Sequence, residues 1–335
     1  MELDSVRGLK ATLRQSVIAP LAMSRAVKAF GVQAGPTAAV PAASPTMALG
    51  VARAAGQRNQ FLLAVRVQKR GLENSAELAS ITKQARGEVD VQYIGVPTKR
   101  AAAPWPQKNQ RPLKIGVSIG HHKITAGTLG AFVKSRDDDA LLILSNNHVL
   151  ANENKGKRGD AILQPGAIDG GQNPDDKVGE LLRSVPLKRE GINLVDCAVA
   201  TIDPGIEINH RTLTGLGKVA GLGDALLADD DVVFKIGRTT GKTEGRVTAF
   251  EIDDVIVHFD LGLLRFNGQF EIAGAGDGPF SLGGDSGSLI LDADRRGVGL
   301  LFAGGDVGGH NGKGLTYANP LRAVLDELKV DLAIA

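Results

Sequence analysis

The run Ser281-Leu282-Gly283-Gly284-Asp285-Ser286-Gly287-Ser288 holds the residue types that acyl transfer to a serine requires. A serine hydroxyl attacks a carbonyl only when a base takes its proton and donors stabilise the oxyanion that forms. A glycine ahead of an Asp-Ser pair lets the backbone turn tightly, so the amides of Gly284 and Ser286 can point at one spot and form an oxyanion hole. Gly287 has no Cβ to hold substrate or neighbouring chain away. Gly-Asp-Ser-Gly also occurs in ordinary turns, where these residues are common. The run alone leaves both readings open.

Two upstream segments bear on the choice. Leu141-Leu142-Ile143-Leu144-Ser145-Asn146-Asn147-His148-Val149-Leu150 sets an imidazole at the end of an apolar strand. Taken alone, His148 reads equally as a core or surface histidine. In Asn193-Leu194-Val195-Asp196-Cys197-Ala198-Val199-Ala200-Thr201-Ile202, a carboxylate opens a strongly apolar strand. Burying it is costly unless something hydrogen-bonds it; a helix cap or a turn is the structural alternative for Asp196. The three candidates occur in the order His, Asp, Ser, and that order in suitable strand contexts is far more specific than any one segment.

On these residues the chain resembles the trypsin/chymotrypsin-like serine peptidases, in particular streptogrisin-type enzymes and narrow-leaf-type intracellular members. Val233-Phe234-Lys235-Ile236-Gly237-Arg238-Thr239-Thr240-Gly241, followed by Thr243-Glu244-Gly245-Arg246-Val247, is similar to the streptogrisin second-barrel hairpin. Gly299-Leu300-Leu301-Phe302-Ala303-Gly304-Gly305 resembles the strand that lines the substrate cleft, and Thr316-Tyr317-Ala318-Asn319-Pro320 the closing strand before a C-terminal helix. The resemblance runs from about Ile115 to the C-terminus. It implies a mainly β, chymotrypsin-like double β-barrel with the site between its halves, here preceded by a small N-terminal α/β module. It also implies a catalytic triad of His148, Asp196 and Ser286, an oxyanion hole at Gly284 and Ser286, and peptide hydrolysis through an acyl-enzyme. Substrate backbone would pair with the strand near Phe302 to Gly304.

The resemblance also places Phe280 and Ser281 at the base and wall of the pocket for the residue before the scissile bond, with Phe302, Gly304 and Thr316 around it. No Asp occupies the base, so cleavage after Lys or Arg is not the default; Phe280 would favour small or medium apolar side chains, and Ser281 and Thr316 could accept a polar one. Phe302 departs from the pattern, standing where a small polar residue usually supports the Asp. Trypsin-type zymogens secure the Asp before the catalytic Ser with a new N-terminal ammonium. Arg111-Pro112 is a poor site for such a cut, so Asp285 needs another cation, because a buried unpartnered carboxylate is expensive. Arg238 is the expected one, through a buried bidentate pair; the alternative is a solvated turn residue.

Composition bounds the rest. The chain has 335 residues with 43 Gly, 4% aromatics and a formal net charge of +2. That balance supplies no large uniform field and so no case for nucleic acid. No apolar run is long enough to span a bilayer. Cys197 is the single cysteine; it predicts no internal disulfide, a reducing compartment and, with the poor secretory character of the first residues, a cytoplasmic location. Next to Asp196 on an alternating strand, Cys197 reads as a small buried hydrophobe. No cofactor loop is present. His121 and His122 lack a carboxylate or Cys cluster, so no metal is expected, and His210, His258 and His310 lack ligand spacing, though His310 sits near the expected cleft.

Residues 1–45 read as an N-terminal helix and linker, with Leu9, Leu13, Val17 and Leu21 at helical spacing within 3–32 and an Ala/Pro-rich stretch after it. Residues 46–112 read as a strand–strand–helix–strand module with a Pro-containing linker, and 113–335 as the peptidase domain in two halves, about 113–215 and 216–335. The module carries no visible chemistry. It is expected to fold or dock the chain, or to restrain the site through a regulatory partner or a cut near Lys99-Arg100. The partner expected at the site is a protein or peptide substrate; oligomeric state has no signal. Besides an endopeptidase, two readings stay open: a silent trypsin-like binding module, and an esterase or acyltransferase using the same triad.

Overall fold

The computed structural model describes residues 1–21, 46–57, 59–96, 108–223, 232–309 and 311–334. The linker expected after residue 34, Lys99-Arg100 and His310 lie outside these residues.

Short apolar strands broken by Gly and Asp build two curved sheets, the chymotrypsin-like double β-barrel. In the second half, six strands close on themselves: Val232–Gly237, Leu289–Asp292, Arg296–Gly304, Leu315–Pro320, Gln269–Gly274 and Gly241–Asp253, the last pairing back to the first. The first half is a curled sheet in the order Val330–Leu332, Ala131–Ser135, Leu141–Ser145, Ala198–Ala200, Lys177–Ser184, Ala161–Leu163, Ser118–His121 and Gly127–Thr128. The chain therefore ends on the first sheet: after helix Leu321–Leu328, whose Leu321, Val324, Leu325 and Leu328 are buried, Val330–Leu332 pairs with Ala131–Ser135.

The N-terminal strands join the second barrel. Met47–Arg53 pairs antiparallel with Gly241–Asp253, then with Phe61–Val67, which takes Val89–Tyr93 as a parallel neighbour through helix Ala76–Gln84. Ser75 caps that helix by accepting the Leu78 amide, as a serine at this position is suited to do. At Gly50 an added Cβ would lie 2.4 Å from Ile252 Cγ1, so only glycine lets the two strands approach.

The first helix runs Leu3–Leu13 and continues through a π turn, Arg14–Ile18. Its buried line is Val6, Leu13, Ile18 and Leu21, not Leu9, Leu13, Val17 and Leu21. The π turn inserts one residue into the repeat, moving the inward face from Val17 to Ile18.

Arg66 joins module to barrel most deeply. It is fully buried and directs Nε to both Glu271 oxygens at 2.7 Å, Nη2 to Asp90 at 2.8 Å and Nη1 to the Asp90 carbonyl. Glu271, on the barrel strand, also accepts from Thr248 Oγ1 (2.8 Å) and Tyr317 OH (3.1 Å). Burial alone would pull the guanidinium down; the Glu271 and Asp90 carboxylates outweigh it and hold Arg66 above its ordinary value.

Candidate active site

The apolar run 141–144 forms a buried strand, and the chain leaves it at Asn146 into the short helix Asn147–Leu150. Asn146 does not use its side chain as a cap. Its Nδ2 donates instead to the Asp196 carbonyl at 2.7 Å. From the second barrel, Asn319 Oδ1 accepts the Asp196 amide at 2.9 Å, and Asn319 Nδ2 is held by Gln269 Oε1 at 2.6 Å. Asp196 is thus clamped from both halves.

Its carboxylate, 0% exposed, accepts His148 Nδ1–H at 2.5 Å and the His148 amide at 3.2 Å. An ionised carboxylate only accepts, so Nδ1 carries the proton and Nε2 is left as the basic nitrogen. Two donors offset the cost of taking this charge out of water. His148 is itself only 3% exposed, with the Phe259 ring edge-on at 5.8 Å. Cys197, beside Asp196, is fully buried, and burial pushes its thiol well up.

The Ser286 loop needs its glycines. Gly284 and Gly287 have φ of +92° and +94°, conformations that disfavour a Cβ. A Cβ on Gly287 would also lie 2.1 Å from Ser145 Oγ, which seats the loop against the strand leading to His148. The loop carbonyls are pinned: Gly283 O by Thr239 Oγ1, Gly284 O by Thr128 Oγ1, Asp285 O by Ser288 and Ser286 O by the Thr128 amide. The amides of Gly284 and Ser286 have no acceptor among the described residues. Fixed carbonyls with unused amides beside the hydroxyl suit a site that receives negative charge. Ser286 Oγ, 8% exposed, donates to the Phe302 carbonyl at 3.5 Å and makes no hydrogen bond to His148.

The expected Arg238–Asp285 bidentate pair is not the one formed. Arg238 is buried but forks onto Asp169, Nε to Oδ2 at 2.6 Å and Nη2 to Oδ1 at 2.7 Å. This pair ties the second barrel to the first, and Arg238 still reaches the loop, since a Cβ on Gly284 would lie 2.4 Å from its Nη1. Asp285 is met instead by Lys235 Nζ at 3.4 Å, the Thr239, Thr240 and Leu282 amides and Thr240 Oγ1. The reason is direction. Lys235 lies within the strand, where alternation aims it inward, whereas Arg238 follows the strand's end, where alternation no longer dictates its path. Burial pulls the Lys235 ammonium below the ordinary lysine value, against the opposing pull of Asp285.

Of the pocket candidates, Ser281 and Thr316 meet, Oγ to Oγ1 at 2.7 Å, and Thr316 stands opposite Gly304 in the strand register. Phe280 turns into the barrel core, its ring 5.6 Å from Lys235 Nζ. Phe302 is buried and packs on Phe266, ring centroids 4.7 Å apart. His121 hydrogen-bonds Asp160 at 3.0 Å and stacks on His122. Among the described residues no three candidate ligands converge on a metal position, and no helix is long and apolar enough to cross a membrane.

Sequence reasoning missed Lys235, Asp169, Asn319 and Thr128 as supports and Phe259 as the neighbour of His148. Only Lys235 left a signal, a cation at an inward position of an apolar strand.

The chain matches no family model and no curated protein. Its structural neighbours are chymotrypsin-fold serine proteases. Thermobifida fusca protease A is 15% identical over 67% of this chain and 99% of its own, with a TM-score of 0.46. A glutamic-acid-specific serine protease that uses a histidine triad in substrate binding is 16% identical over 66% and 100%, TM-score 0.47. Cellulomonas bogoriensis chymotrypsin is 19% identical over 67% and 99%, TM-score 0.44.

Proposed function

We propose that the chain is a serine endopeptidase of the trypsin/chymotrypsin-like type, nearest in kind to the streptogrisins, with His148, Asp196 and Ser286 as its triad. What carries the reading is the buried His148–Asp196 pair together with the unused Gly284 and Ser286 amides. Ser286 Oγ leaves the Phe302 carbonyl, gives its proton to His148 Nε2 and attacks the peptide carbonyl. Asp196 holds the imidazole tautomer and stabilises the imidazolium. The two amides take the oxyanion. His148 then protonates the leaving amine, and water releases the acyl group by the reverse path. The Gly237–Gly241 turn, which closes over Asp285, supports the streptogrisin likeness, and the lone buried Cys197 supports a cytoplasmic, reducing setting.

The test is labelling and digestion. A small fluorophosphonate is expected to modify Ser286, and a peptide-library digest to show endoproteolytic cuts. Ser286→Ala should abolish both, with turnover falling on the order of a millionfold, and His148→Ala should cost about as much. Activity retained in Ser286→Ala would refute the assignment. Labelling with ester but no peptide hydrolysis would favour an esterase or acyltransferase, and no labelling at all a silent binding module.

A further inference from the structure

The strands Val255–Phe259 and Gly262–Phe266 form a hairpin that leaves the second barrel and reaches the first. Its tip is held there by the Leu261 amide, which donates to Glu153 Oε2 at 3.0 Å. Its base is held by Asn193, whose amide donates to the Arg265 carbonyl at 2.9 Å and whose carbonyl accepts from the Asn267 amide at 3.0 Å. Both anchors lie on first-barrel segments that flank the base, Glu153 after His148 and Asn193 before Asp196.

The hairpin's inner face is apolar. Val255, Val257, Phe259, Leu264 and Phe266 pack in one cluster with Phe302 and Ala303. Four rings make a continuous line: His148 to Phe259 at 5.8 Å, Phe259 to Phe266 at 5.8 Å, and Phe266 to Phe302 at 4.7 Å. Phe302 is also the residue whose carbonyl touches the nucleophile. The line therefore spans from the base to the nucleophile's neighbour, and Phe302 and Ala303 are 0% and 3% exposed beneath it.

We propose that this hairpin closes the side of the cleft that would receive the substrate chain N-terminal to the scissile bond, with Phe259 setting the limit. The inference rests on the serine-peptidase reading and adds a substrate class: peptides recognised through few residues before the cut and chiefly through residues at and after it. A chain entering along Phe302–Gly304 must pass between that strand and the imidazole. Extended backbone advances about 3.3 Å per residue, so it meets the Phe259 ring within roughly two residues of the acyl carbon. Large side chains there would collide with a ring that packing on Phe266 holds in place.

The test uses the full chain and peptidyl diphenyl phosphonates of one to four residues with the same residue at the acyl position. Wild-type inactivation rates are expected to level off by the second residue. Phe259→Ala should gain about tenfold or more on the longer probes, the scale on which one apolar subsite contact discriminates. Phe259→Leu keeps an apolar plug should the alanine variant unfold, and it should give a smaller gain of the same sign. A wild-type rate that climbs about tenfold or more between the two-residue and four-residue probes overturns the inference, and so do unchanged length profiles in both variants. If the small fluorophosphonate fails to label Ser286, the proposed function falls and this inference with it. If it labels while long probes outpace short ones, only the inference falls.

Discussion

Lys235 sits under the Ser286 loop with Asp285, Thr240 Oγ1, the Gly241 carbonyl and the Phe280 ring around its ammonium. Removing its charge leaves Asp285 on three amides and one hydroxyl. Lys235→Met is therefore expected to cost activity through kcat, whereas Lys235→Arg keeps a cation. The pH dependence has a defined sign. Burial lowers the folded-state value of Lys235, so the unfolded chain, near the usual ~10.4, holds the proton longer. Between the two values the unfolded chain binds more protons, and stability rises with pH. Activity should move oppositely, falling as the ammonium is lost, at a pH below the ordinary lysine value. Lys235→Arg should carry that decline to higher pH. A pH–rate profile set beside denaturant midpoints checks both signs; identical alkaline limbs in wild type and Lys235→Arg would contradict the assignment. This residue also marks a limit of sequence reading. The likeness at Gly237-Arg238-Thr239-Thr240-Gly241 offered a cation for Asp285, but which nearby cation meets Asp285 depends on where the strand ends, and Asp169, the partner Arg238 takes, lies in a distant loop.

At the scale of elements, the short strand Gly127–Thr128 does more than its length suggests. Thr128 Oγ1 donates to Gly284 O at 2.9 Å and accepts the Arg238 amide at 3.0 Å, so one hydroxyl joins the first sheet to the Ser286 loop and to the Gly237–Gly241 turn. Thr128→Val keeps the shape and strands two buried backbone groups, at a cost of about 1–3 kcal/mol. The expected result is a lower kcat with KM little changed, read from steady-state kinetics alongside thermal unfolding. Some elements were legible in advance. The strand–strand–helix–strand order expected within residues 46–112 was, and Met47–Arg53, Phe61–Val67, Ala76–Gln84 and Val89–Tyr93 form in that order. The π turn was not, because a one-residue insertion leaves composition unchanged. Nor was the docking of the 255–266 hairpin beside His148, since its anchors Glu153 and Asn193 are remote in sequence.

For the whole molecule, the N-terminal region is stitched into the second barrel. Arg66→Ala would leave Glu271 buried without its cation and is expected to cost about 3–5 kcal/mol, measured by denaturant unfolding. A chain trimmed to begin near Pro112 would lose the strand paired with Gly241–Asp253 as well as that cation. It is expected to be less stable than the full chain, and its activity, if it folds, no higher. A trimmed protein that unfolds at the same midpoint and turns over faster would support the restraining role expected for residues 1–112.

Local conformation was readable from near neighbours along the chain: Gly284 and Gly287 where φ is positive, an apolar strand running into His148, a carboxylate just ahead of the next strand, and short apolar strands that make barrels. These depend on sterics and on neighbours a few residues away. The docking of the sheets set the partners of Asp285 and Arg238, the clamp of Asn319 on Asp196, the aromatic line from His148 to Phe302 and the pairing of Met47–Arg53 with the far end of the barrel strand Gly241–Asp253. Each of these pairs groups far apart along the chain. Buried charges and strand edges must find some partner, but which one depends on the docking of the sheets, and no local spacing encodes that.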